Sequence, residues 1–164
     1  MKRKPVIGVM GGGVANAATS ALAEELGEAI AREGWILLNG GRDAGVMAAS
    51  ARGAGRAGGL VLGILPGRDL AGAAPDLTIG IPTGLGDARN VINVLASDVV
   101  VAMPGGAGTL SEIALALKNE RPLLLLGWPR EPELPGAVAG TARRAASCTT
   151  AAAAIAWIRE RLPA

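Results

Sequence analysis

Residues 99–112 read Val-Val-Val-Ala-Met-Pro-Gly-Gly-Ala-Gly-Thr-Leu-Ser-Glu: an apolar run, a proline, three glycines within four positions, then a hydroxyl and a carboxylate. That order suits the capture of an anion. Glycine lets the main chain approach a ligand closely and adopt positive φ. Where a helix starts just after such a turn, its first amides lack intrahelical acceptors and its dipole presents a positive end. A phosphate oxygen is a natural guest there. Pro104, Gly105, Gly106, Ala107, Gly108 and Thr109 are therefore read as a phosphate-holding turn, with the Thr109 hydroxyl as a further donor.

What is missing narrows the chemistry. The chain has no histidine, which excludes Ser-His-Asp and Cys-His catalysis and His-ligated metal sites, and no metal site is expected. The lysines are Lys2, Lys4 and Lys118. Lys118 falls near the far end of the helix after the turn, away from any Schiff-base role. Acid–base work is left to Asp and Glu. Glu112 is the candidate, although Thr109-Leu110-Ser111-Glu112 also spells a capping box, with Thr109 as cap and Glu112 reaching back. The residue pattern leaves both readings open. Gly11-Gly12-Gly13-Val14-Ala15-Asn16 is a weak match to the dinucleotide fingerprint, and Asn39 stands where an acidic residue should follow the second strand. That disfavours NAD. No Gly-Lys-Ser/Thr occurs, so the turn is not a P-loop.

The elements that must position these residues alternate. Strands are predicted at Val6–Met10, Trp35–Asn39, Leu60–Leu65, Leu77–Ile81, Asp98–Met103 and Leu123–Leu126. Helices are predicted over 18–33, where Leu22, Leu26 and Ile30 share a face, over 44–57 behind an Asp43 cap, and from Asp87 to Ser97. Two more are predicted over Leu110–Asn119 and Ala151–Leu162, while 128–148, rich in Pro, Gly and Arg, suggests no element. This alternation predicts one Rossmann-like α/β domain over residues 1–164, a doubly wound and mostly parallel sheet with helices on both faces. Ligands of such sheets bind beyond the strands' carboxyl ends, where strand order reverses. The glycine turns at 11–13, 40–45, 84–86 and 104–108 are expected to gather at that edge.

At 164 residues and half hydrophobic, the chain has enough apolar material for one core, built without Phe or Tyr. A formal charge of +2, no basic run and almost no aromatics argue against a nucleic-acid partner. No apolar stretch approaches the roughly 20 residues of a membrane span. With Cys148 alone, no internal disulfide can form, and a reducing cytoplasm is the expected location.

Pro-Gly-Gly-x-Gly-Thr-x-x-Glu at 104–112 resembles the hallmark of the Lonely-guy (LOG) group, often mislabelled as lysine decarboxylases, over about residues 6–127. Within that superfamily, Gly41-Arg42-Asp43-Ala44-Gly45-Val46-Met47 and Thr83-Gly84-Leu85-Gly86-Asp87-Ala88-Arg89-Asn90 look closer to molybdenum-cofactor carrier proteins. The resemblance implies ligand contacts from Gly11, Gly12, Gly13, Gly41, Arg42, Gly45, Met47, Thr83, Gly84 and Arg89 besides the 104–109 turn. As a carrier, the protein would hold molybdopterin, the molybdenum cofactor, and would need no cofactor for chemistry. As a LOG-type phosphoribohydrolase, it would split a nucleoside 5′-monophosphate with Arg89 and Glu112 as the catalytic pair. The carboxylate would steady positive charge on the ribose, and the guanidinium would bind phosphate or ribose. On residue chemistry Arg89 also fits a surface ion pair with Asp87 or a neighbouring carboxylate. Asn90 stands where the enzymes carry the lysine of an Arg-Lys pair, and 41–45 departs from their triple-glycine turn. The resemblance also implies a homodimer or homotetramer, with the apolar helix at 91–96 and the C-terminal helix as possible self-complementary faces.

Overall fold

All five residues of Val6–Met10 are buried, as befits a strand covered on both faces. A computed structural model describes residues 3–129 and 145–162. The elements are β1 (Val6–Met10), α1 (Ala17–Arg32), β2 (Ile36–Asn39), α2 (Gly45–Arg56), β3 (Leu60–Leu65) and β4 (Ile79–Pro82). After a 3₁₀ turn at Gly86–Arg89 come α3 (Asn90–Ala96), β5 (Val99–Ala102), α4 (Ala107–Lys118), β6 (Leu123–Leu126), β7 (Ala145–Cys148) and α5 (Ala151–Arg159). The seven strands form one sheet in the order β4-β3-β2-β1-β5-β6-β7, every neighbouring pair parallel.

Period-2 alternation sorts the strand side chains between two layers. Ile7, Val9, Val99, Val101, Leu124 and Leu126 pack with α1, α2 and α5. Val6, Met10, Val100, Ala102, Leu123 and Leu125 pack with α3 and α4. The doubly wound α/β expectation therefore holds. On the first face, α1 and α2 meet backbone to backbone. A Cβ added at Gly27 would sit 2.9 Å from the Ser50 carbonyl carbon, and one at Gly53 would sit 2.8 Å from that of Glu24. Arg52 and Arg56 pair with Glu24 at 2.9 and 2.6 Å beside this crossing. Such solvated pairs contribute little. Among the described residues, no helix is long and apolar enough to cross a membrane.

Several boundaries differ from the sequence reading. The seventh strand, Ala-Ala-Ser-Cys, lacks the β-branched and aromatic residues that mark strands, and it owes its form to pairing with β6. The rest of the segment left unassigned, 130–144, lies outside the described residues. β4 starts at Ile79, because Thr78 is taken up in receiving a bond from the Val61 amide on its side-chain oxygen, at 3.0 Å. Asp43 does not cap α2. The N-cap is Ala44, without a side-chain bond, since Arg42 bridges to Ala73 and the Asp43 amide donates to Gly72 O at 2.9 Å. Asp87 caps no helix either: it sits inside the 3₁₀ turn, and the N-cap of α3 is Arg89.

Candidate functional site

Strand order reverses between β1 and β5, so the loops leaving their carboxyl ends diverge around an opening. Three loops are knitted together beneath it. The Gly12 amide donates to Pro104 O at 3.1 Å, and the Val46 amide donates to Gly12 O at 3.0 Å. A Cβ on Gly105 would lie 2.7 Å from the Gly12 nitrogen. Gly45, at φ +49°, would place one 2.7 Å from the Gly13 carbonyl carbon. Here glycine is required by the contact of one backbone with another. Gly106 differs: no heavy atom lies within 4 Å of its would-be Cβ.

Gly106 is also the N-cap of α4, and no side chain caps that helix. The Leu110 amide is the first to reach a carbonyl of the helix start, that of Gly106, at 3.0 Å. The amides of Ala107, Gly108 and Thr109 are those that a helix start leaves open. Gly106, Gly108 and Thr109 border a cleft of about 230 Å³ whose walls include Gly11, Gly12, Gly13, Arg42, Met47, Arg89 and Glu112. The capping box is therefore a misreading. Because α4 begins at Ala107 and not at Leu110, Thr109 lies inside the first turn and Glu112 a full turn deeper. The Glu112 carboxylate instead accepts a bond from Asn93 Nδ2 at 2.7 Å.

Arg89 leaves the 3₁₀ turn and runs inward, its side chain 11 % exposed, to stand 3.6 Å from the Glu112 Oε1, whose own side chain is 7 % exposed. A surface ion pair with Asp87 is not what Arg89 forms. Its Nη1 donates to Asn90 Oδ1 at 2.9 Å, and its Nε is buried without a partner. The guanidinium lies against Gly40, where a Cβ would come within 2.7 Å of Nη2 and 2.9 Å of Nη1. A Cβ at 40 would also come within 2.8 Å of the Met47 sulfur, so a larger residue there would have to displace the ends of both side chains.

The other residues singled out in the sequence divide by place. Pro104 and Gly105 line an adjoining groove with Val14, Ala15, Asn16 and Thr19, and Ala107 lines a groove between α3 and α4. Gly41, Gly45, Thr83 and Gly84 do not border the cleft. Gly41 turns the chain at φ +76°, its amide held by Asn39 Oδ1 at 2.8 Å. The Thr83 hydroxyl donates to Leu65 O at 2.8 Å, and Gly84, at φ +68°, donates to Gly67 O at 2.7 Å. These residues shape the loops around the site. Gly40, Asp87, Asn90 and Asn93 escaped the sequence reading as parts of the site. The signal for the asparagines was present: two amides three residues apart in an otherwise apolar helix, a spacing that puts both on one face.

Burial pushes the Glu112 carboxyl above its ordinary pKa, against the opposing pull of the Asn93 hydrogen bond and the Arg89 charge. Burial lowers the Arg89 pKa, with Glu112 and Asp87 acting against it. The direction at Glu112 has a measurable consequence. A carboxyl whose folded pKa exceeds its unfolded one binds its proton more tightly when folded, so stability falls as pH rises between the two values. Glu112→Gln lacks this titration. The melting temperature of Glu112→Gln minus that of the unmodified protein is expected to rise with pH across that interval and to level off above it. A difference that stays flat between pH 4 and 8 would refute the shift.

The model of the SLOG cluster4 family matches residues 4–155. The molybdenum cofactor binding protein of the phototrophic bacterium Rippkaea orientalis superposes with a TM-score of 0.89 at 43 % identity, covering 98 % of each chain. The molybdenum cofactor carrier protein of Chlamydomonas reinhardtii does so with a TM-score of 0.84 at 42 % identity, over 96 % of this chain and 98 % of that one. The cytokinin riboside 5′-monophosphate phosphoribohydrolase of Mycobacterium tuberculosis is 38 % identical over 96 residues, 56 % of this chain and 50 % of that protein. The LOG-like resemblance read from 104–112, and its leaning toward the carriers, are both borne out. With its family model spanning nearly the whole chain, this protein belongs to the SLOG cluster4 family.

Proposed function

We propose that this protein binds a phosphate-bearing, nucleotide-like ligand, and that the ligand is the molybdenum cofactor, held as cargo on a carrier. The uncapped start of α4 is the observation that supports this most. Open amides at Ala107, Gly108 and Thr109 follow a glycine with empty space at its Cβ position, and Arg42 and Arg89 stand across the same cleft. A phosphate monoester would take the amides as donors and the arginines as counter-charge. The cleft, at about 230 Å³, is smaller than the roughly 300–1,000 Å³ that commonly enclose a whole ligand. It shares Gly12, Gly13, Arg42 and Gly106 with the adjoining groove, so a ligand larger than a phosphate would extend into that groove. Likeness to the carriers over nearly the full chain supports the same reading. A carrier needs no further cofactor, only a cradle. The proposal includes a homodimer or homotetramer, for which Val91 and Leu95 offer an exposed apolar face on α3.

A second reading is favoured by the buried Arg89–Glu112 pair. In a nucleoside 5′-monophosphate phosphoribohydrolase, water adds to the anomeric carbon as the bond to the base breaks. The base leaves with the bonding electrons and takes up a proton, and ribose 5-phosphate remains. Glu112 would stabilise the cationic sugar or orient the water, and Arg89 would hold phosphate or ribose.

One experiment separates the two. Purified protein is titrated with molybdopterin and, separately, incubated with AMP and GMP while free base is measured. Saturable molybdopterin binding without base release is expected. Base release that disappears in Glu112→Gln would replace the carrier reading with the hydrolase.

A further inference from the structure

We propose that Asn90 and Asn93 are positioning residues with separate tasks: Asn90 holds Arg89 back from Glu112, and Asn93 fixes the Glu112 carboxylate. This rests on the reading that the cleft serves a phosphate-bearing ligand, because only then does an unsatisfied ion pair have a use.

The hydrogen bonds fix both amides. The Ser111 hydroxyl donates to Gly108 O at 2.7 Å, so its oxygen is left to accept from Asn90 Nδ2 at 2.8 Å. That orients Asn90 Oδ1 toward Arg89 Nη1, 2.9 Å away. Asn93, fully buried, turns its Nδ2 to the Glu112 carboxylate at 2.7 Å, while its Oδ1 has no partner. The opposite orientation would set two oxygens against each other. Each asparagine thus makes a shorter contact with its charged partner than the 3.6 Å that separates Arg89 from Glu112. Without Asn90, a guanidinium and a carboxylate this close would be expected to close into a bidentate pair and use up their donors and lone pairs on each other. With it, Arg89 keeps an unbonded Nε. The remaining charged residues bordering this cleft are Arg42, from the β2–α2 loop, and Asp87, from the 3₁₀ turn.

The two asparagines act on Glu112 with opposite sign, and this makes the proposal testable. The full-length protein is labelled with ¹³C at the glutamate carboxyls, and the Glu112 resonance is identified by its loss in Glu112→Gln. Its titration midpoint is then followed without ligand. Asn93→Leu, of the same branched outline though larger, removes the donor and also the orphaned Oδ1 while Asn90 still restrains Arg89, so the midpoint is expected to rise by about one pH unit. Asn93→Ala is expected to move it the same way and serves if the leucine variant does not fold. Asn90→Ala releases Arg89 to close on the carboxylate, so the midpoint is expected to fall by about half a unit or more. Shifts of the same sign, or midpoints all within about 0.3 unit of the unmodified protein, would overturn the proposal. Calorimetric titration with AMP reports separately on the ligand reading. Its failure would leave the carboxyl midpoints to decide the spacing.

Discussion

Gly106→Val is expected to weaken binding of AMP or molybdopterin by about 30-fold or more while shifting the melting temperature by no more than about 2 °C. The two halves of this expectation have separate causes. Gly106 has φ −93°, an extended backbone open to L-residues, and its Cβ would meet nothing within 4 Å. With no clash at Cβ, the remaining cost is that of valine in place of glycine at an N-cap, roughly 0.5 kcal/mol. Under the proposed function the same empty space is the ligand's, since Gly106 borders both the cleft and the groove beside it. An isopropyl group there would stand before the amides of Ala107, Gly108 and Thr109. Each charge-assisted hydrogen bond denied to the phosphate is worth about 1.5–3 kcal/mol. Gly105→Ala makes the control, because its Cβ would fall against Thr109 and 2.7 Å from the Gly12 nitrogen, so it should cost stability first. Calorimetry and thermal melting on the same samples check both. Unchanged affinity in Gly106→Val would remove this turn from the ligand site.

Gly53→Val carries the largest expected effect on the fold: a loss of about 3 kcal/mol, seen as a drop of roughly 6–12 °C in melting temperature. Its Cβ would run into the Glu24 carbonyl, with the carbonyl carbon 2.8 Å away. The obstacle is main chain and cannot rotate aside, so α1 and α2 would have to separate. Separation would loosen Leu26, Ile30 and Ala54 together. An opposing term exists, since valine is a better helix former than glycine by a few tenths of a kcal/mol. It is too small to decide the sign. Gly27→Val should behave alike from the other helix, because its Cβ would strike Ser50. A melting temperature within about 2 °C of the unmodified protein would contradict the close crossing.

The fold was legible wherever hydrophobic period and glycine position agreed. Val99–Met103 and Leu123–Leu126 are unbroken apolar runs, and both are strands within a residue or two of the expected limits. Ala145–Cys148 gave no such signal, because its strand form comes from a neighbour distant in sequence. Helix starts were the weakest point, for a physical reason. A helix can begin at any residue whose backbone turns correctly, and the three tested side-chain caps, Asp43, Asp87 and Thr109, were each displaced by tertiary geometry. Asn16 and Thr150, in contrast, do cap their helices, with bonds of 2.8 and 3.2 Å.

The site was legible as a set of loops more than as a set of contacts. The 104–109 turn apart from Ala107, the 11–13 turn, Arg42, Met47, Arg89 and Glu112 do converge on one cleft or the groove beside it. The sequence could not show which glycines face a ligand and which face another backbone, because that depends on how close two distant loops come. Gly45 and Gly106 look equivalent on paper. One is pressed against Gly13 and the other looks onto open space. Asn93 was legible only in part, for a related reason: a buried amide inside an apolar helix announces a polar partner but does not name it. The partner, Glu112, lies nineteen residues away.

The backbone braid joining Gly12, Pro104 and Val46 has one more implication. Under the proposed function, an anion arriving at this edge would meet a floor that is set before it lands, so little ordering entropy would be lost on association. The surrounding side chains can then be exchanged without disturbing the foundation. One frame could in this way host both proteins that cut a nucleotide and proteins that merely shelter a phosphorylated guest, with the difference written in a few replaceable groups around the rim.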